Sequence, residues 1–135
     1  MADETQIRPF VVNDLIWLKP IALKFGEWED IRDAVFNRTK ERIALSIWVV
    51  EGKAMVALFE EVNQPGKTFV CGLTDKRGMK ELFTLGRWIC RVSMGFGLTL
   101  HSPELDEGSW QIRFFEKMGF QSTDGLNFVL PAVEG

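Results

Sequence analysis

The chain has no tyrosine and only one histidine, His101, so it offers no phenol and a single imidazole for proton transfer near neutral pH. Two cysteines, Cys71 and Cys90, stand far apart, without metal-type spacing or a partner set. That argues against a zinc cluster, and no metal site is expected. They read as reduced core thiols of a cytoplasmic protein, where a disulfide between them is disfavoured. No apolar run is long enough to span a bilayer, and the opening MADETQIRPF is acidic and polar, unlike a secretory leader. The 16 Lys and Arg are scattered and the net charge is −3, which argues against a nucleic-acid partner. There is no GxxxxGK[ST] phosphate loop, no GxSxG elbow, and no dinucleotide fingerprint among the scattered glycines.

What is present is apolar bulk. Of 135 residues, 46 % are hydrophobic, and five Trp and eleven Phe supply large buried surface. A single domain over 1–135 with one sizeable core is expected, without repeats or linkers. Gln6 to Val12 reads as a first strand, with Pro9 suggesting an edge. Asn13 or Asp14 can cap a helix that Pro20 breaks or restarts and Gly26 ends. Glu27 to Phe36 reads as a second helix, and Thr39 as the cap of a further turn or two through Ala44.

Ile47–Val50 and Ala54–Phe59 flank Glu51-Gly52-Lys53 as a hairpin. Both runs are apolar on both faces, so cover on each side of the sheet is expected. Thr68 to Leu73 is the next strand. Gly78 to about Met94 carries an apolar stripe at spacings of three and four, the longest helix. Leu98 to His101 is a short strand, and Gln121 to Leu130 closes the sheet with one or two more. Two strands joined through the long helix must be parallel. The expected class is α+β: a mixed, mostly antiparallel sheet, helices on both faces, and a parallel β-α-β crossover.

Trp110 to Phe120, WQIRFFEKMGF, is the most informative stretch. Ile112, Phe115 and Met118 share a helix face, and Gly119 sits where a C-cap needs a left-handed backbone. Phe120 can fold back onto that face. The segment resembles the last helix of the Gcn5-related N-acetyltransferase (GNAT) superfamily, NxxAxxFYxxxGF. The family's Asn falls on Gly108, its Ala on Gln111 and its Tyr on Phe115. In that family the tyrosine can protonate the leaving thiolate of coenzyme A, and phenylalanine has no proton to give. The element order also resembles that superfamily over nearly the whole chain.

The resemblance implies an acetyl-CoA-dependent acyltransferase acting on an amine. The fourth strand and the following helix hold the coenzyme A thioester in that family, which points to Cys71, Leu73, Arg77, Gly78, Lys80 and Phe115 as cofactor-binding. Arg77-Gly78 lies on the Arg-Gly pair that opens the family's phosphate loop. Lys80 and Leu82 replace its later glycines, and Glu81 is unfavourable beside a pyrophosphate. Packing alone would equally account for Gly78, with Lys76 and Arg77 solvated. A proton acceptor for the amine is expected at Glu60 or Glu61, at Asp75, or at His101. Glu104, Asp106 and Glu107 form an acidic loop that suits a basic amine, or simply water.

A narrower resemblance rests on Ile7-Arg8-Pro9, Asp14, Lys19-Pro20 and Ile112-Arg113-Phe114. These are similar to short acetyltransferase-like proteins of podovirus-type bacteriophages, associated with virion assembly. That likeness implies a catalytically inactive protein-binding factor, placed in the host cytoplasm or the virion.

Overall fold

The computed structural model describes residues 4–35, 42–122 and 124–131. Six strands form one sheet in chain order: β1 (Ile7–Pro9), β2 (Arg42–Val50), β3 (Ala54–Glu61), β4 (Thr68–Thr74), β5 (Leu100–His101) and β6 (Val129–Leu130). Every neighbouring pair is antiparallel except β4 and β5. Among the described residues four α-helices accompany it: α1 (Leu15–Lys24), α2 (Trp28–Val35), α3 (Met79–Gly95) and α4 (Trp110–Lys117). The expected mixed α+β architecture with one parallel crossover is the architecture found.

Alternation along β3 builds two cores. Ala54, Val56 and Leu58 face α3 and α4, where Leu82, Leu85, Ile89, Phe114 and Phe115 close over them. Met55 and Ala57 face the other way, against Leu18, Ile21 and Ala22 of α1, with Trp28 and Ile31 of α2 beside them. β3 is therefore buried on both faces, as its unbroken apolar run requires. Each fully buried leucine here is worth about 1.5–3 kcal/mol. The two cysteines fall on opposite faces, Cys90 in the first core and Cys71 against the second, and no disulfide joins them. Burial pushes the Cys90 thiol up to about 12.

Close packing of α4 on α3 depends on Gly86, where a Cβ would come within 2.8 Å of Phe114 Cζ and 3.1 Å of Met118 Sδ. At the end of α4, Gly119 takes φ 95° and Phe120 returns its ring to 5.0 Å from that of Phe115. The N-terminal segment is tied down by Asp14, which is only 2 % exposed. Asp14 accepts two hydrogen bonds from the Arg8 guanidinium at 2.7 and 2.9 Å, one from the Val11 amide at 2.9 Å and one from the Trp17 indole at 2.8 Å. Arg8 also reaches Glu51 at 2.7 Å, stitching β1 to the β2–β3 turn.

Three expectations need correction. Pro20 neither breaks nor restarts α1, which runs through it. Ile16, whose carbonyl loses its usual amide to the proline, is 80 % exposed, so water can take that bond. Arg42 to Ala44 belong to β2 rather than to a helical turn, because Glu61, Glu60 and Phe59 of β3 extend the ladder to meet them; Thr39 lies outside the described residues. The first strand is also shorter than expected: Gln6 ends a 3-10 turn and Val12 begins another.

Candidate functional site at the parted strands

β4 and β5 pair at two positions, Thr68 with Leu100 and Phe69 with His101. β4 then runs on to Thr74 along β3, while the chain after β5 follows the C-terminal strand instead. Ser102, 4 % exposed, is what turns it. Its amide donates to the Phe128 carbonyl at 2.9 Å and its hydroxyl accepts the Phe128 amide at 3.0 Å. Pro103, next in line, has no amide to offer a ladder. Farther on, the Leu105 amide donates to Leu126 at 2.9 Å. The two parallel strands therefore part beyond Phe69 and His101, and the part of β4 past that point extends roughly 17 Å, five residues at about 3.3 Å each.

His101 stands at the vertex of this opening. It is half-buried, with its ring 5.8 Å from that of Phe69, which in turn stacks on Phe59 at 5.5 Å. Burial, and then the charge of Lys67, hold its pKa below the ordinary histidine value. The imidazole is thus neutral at pH 7 and able to accept a proton. Glu60 and Glu61, half-buried, follow Phe59 at the same end of the sheet. Glu61 accepts a hydrogen bond from the Gln64 amide nitrogen at 3.2 Å.

The far end of β4 leads into α3. Asp75 caps this entrance: its carboxylate accepts the Arg77 amide at 2.8 Å and the Arg77 guanidinium at 3.1 Å. The Arg77 side chain, and secondarily its amide, hold the Asp75 carboxyl below the usual range. Lys76, Arg77 and Lys80 are exposed around it. Gly78 is buried, and a Cβ there would collide with the Lys53 carbonyl oxygen and the Thr74 hydroxyl, which donates to that same oxygen at 2.6 Å. Its missing side chain thus lets α3 start hard against the β2–β3 turn.

The residues singled out from sequence divide into three places. Glu60, Glu61 and His101 gather where β4 begins. Arg77, Gly78 and Lys80 gather where it ends, with Asp75 among them and distant from His101. Between them, Cys71 and Leu73 direct their side chains to the α1 side of the sheet. Phe115 is 2 % exposed and packs on Phe114, Phe120 and Phe128. Two cavities flank α4, of about 410 and 590 Å³, and neither is lined by a β4 residue. Sequence reasoning missed Ser102 and the capping role of Asp75. An aspartate two residues before a backbone amide at a helix start was the available signal for the latter.

No family model matches the sequence, and no curated protein matches it either. Among solved structures it is similar to one described as "a putative phosphinothricin N-acetyltransferase", at 15 % identity and TM-score 0.64, over 95 % of this chain and 98 % of that one. The fold is that of the N-acetyltransferases. At this identity the likeness speaks for architecture alone. Among the described residues no group of His, Cys, Asp and Glu could hold a metal ion, and no helix is long and apolar enough to cross a membrane.

Proposed function

We propose that the chain is an acyl-CoA-dependent N-acyltransferase that moves an acetyl group to an amine at the opening between β4 and β5. The observation that carries this reading is the two-residue pairing of those strands, with a neutral His101 at its last position. The coenzyme arm lies along β4 beyond Phe69, and Arg77 and Lys80 meet its phosphates at the entrance of α3. The amine enters from the end of the sheet that carries Glu60 and Glu61, whose carboxylates favour a cationic substrate. The ammonium sheds one proton to water to free its lone pair, and His101 accepts the second as the nitrogen bonds the thioester carbonyl carbon. The carbon–sulfur bond breaks, and the departing thiolate takes its proton from water, since Phe115 is sealed in the core.

Release of free thiol from acetyl-CoA across a panel of primary amines tests the reaction. Turnover that depends on the amine supports the reading; no amine-dependent thiol release at any pH between 6 and 9 sinks it.

A second reading, a catalytically inactive protein-binding factor of the kind found in phage virion assembly, draws on different observations. Asp75 places a carboxylate where a phosphate would go, and Phe115 is sealed in the core. Val12 of the 3-10 turn before α1, and Ile16 and Leu23 on α1, leave apolar side chains exposed, at 59, 80 and 57 %. Amine-dependent turnover removes this reading.

A further inference from the structure

On the outer surface, the C-terminal half of α3 and the end of α4 enclose a groove of about 590 Å³, lined by Arg87, Cys90, Arg91, Met94, Lys117 and Met118. Its floor is apolar: Met94 and Met118 are half-buried and pack on the main core. Its rim is cationic, with three basic side chains and no acid in the lining. In a chain of net charge −3, that local reversal of sign stands out. One cation is already engaged by an acid, since Arg91 holds Glu4 at 2.5 Å. Arg87 and Lys117 have no acidic partner among the described residues; the Lys117 ammonium lies 5.2 Å from the Phe83 ring.

We propose that this groove docks an acidic segment of a partner protein. A large apolar side chain of that segment seats on Met94 and Met118, and flanking carboxylates meet Arg87 and Lys117. The Glu4–Arg91 pair displays the contact in miniature, a carboxylate from a separate stretch of chain seated on the rim. Guanidinium groups suit such carboxylates because their paired N–H groups match two oxygens. Methionine floors adapt to differently shaped apolar side chains. None of these residues belongs to the parted strands, so the proposal stands whether or not the chain transfers acyl groups.

Fluorescence anisotropy with the full chain and a labelled, end-blocked peptide Glu-Glu-Leu-Glu-Phe-Glu tests it. Saturable binding is expected, weakened about tenfold or more by the double variant R87E/K117E and by about 0.5 M salt. Replacing the peptide's Leu and Phe with Ser should weaken it comparably. Glu4→Gln, which frees Arg91, should strengthen it several-fold. Unchanged melting confirms that the variants fold, and Arg87→Ala alone serves if the double variant melts early. Absence of binding at millimolar protein, or binding indifferent to the Arg87 and Lys117 changes, overturns the proposal. So does equal binding of the Ser-substituted peptide. Self-association abolished by R87E/K117E would assign the groove to a second copy instead and also overturn it.

Discussion

Phe69 and His101 are the last residues that the two parallel strands share, and their rings lie 5.8 Å apart. Beyond them β4 keeps to β3 and the other strand keeps to Phe128. In the proposed reaction, this puts His101, the chain's one imidazole, where the acyl group and the amine meet. Replacing it with Ala should lower turnover about 100-fold while acetyl-CoA binding persists. Burial and Lys67 favour its neutral form, so the acid limb of the wild-type pH–rate profile should fall below the ordinary histidine value of 6.5. That limb should vanish in the variant. A variant that loses coenzyme binding in proportion to turnover would contradict the assignment.

Asp75 occupies the Arg77 amide and holds its guanidinium. Removing the charge with Asp75→Asn should tighten coenzyme A binding several-fold, since a like charge leaves the phosphate position. The measurement is a calorimetric Kd for both proteins. Weaker binding by the variant would mean that Asp75 instead builds the site.

The Arg8–Asp14 pair predicts an acid-sensitive fold. Burial alone would raise the Asp14 carboxyl, but the Arg8 bonds, the Val11 amide and the Trp17 indole outweigh it and hold it down to about 2. A carboxyl depressed in the folded state stabilises fully above its unfolded pKa of about 3.9. That contribution is lost as pH falls through the folded value. Denaturation midpoints should therefore drop between about pH 4 and pH 2. Arg8→Ala should cost about 3 kcal/mol at pH 7, because it strands a buried carboxylate. A cost near zero would mean that water replaces the guanidinium.

Phe115, which the motif resemblance matched to a tyrosine, is 2 % exposed among three other phenylalanine rings. Phe115→Tyr should lower stability by about 1–3 kcal/mol, through a buried hydroxyl without a partner, and leave turnover unchanged. Faster turnover in this variant would show that the ring reaches the reacting thiol.

Much of this architecture was legible in the residues. The unbroken apolar run of β3 foretold two covered faces. The 3.6-residue periodicity of α3 and the Gly119 cap of α4 foretold the crossover and the returning Phe120. What escaped were features set by distant partners. Pro20 outweighs its helix-breaking tendency because α1 packs Leu18, Ile21 and Ala22 on the sheet. Arg42 to Ala44 become strand because β3 extends to meet them. Ser102 matters through Phe128, 26 residues away in sequence. The same limit applied at the site: Gly78 stood out by its neighbours Arg77 and Lys80, whereas its contact with the Lys53 carbonyl is visible only once the turn is folded onto α3.

In the proposed function the opening beyond Phe69 and His101 receives a coenzyme A thioester. Isothermal titration of the intact chain with acetyl-CoA tests it most directly. Saturable heat with one site per chain is expected. No heat at millimolar ligand, in a sample shown to be folded, would contradict it.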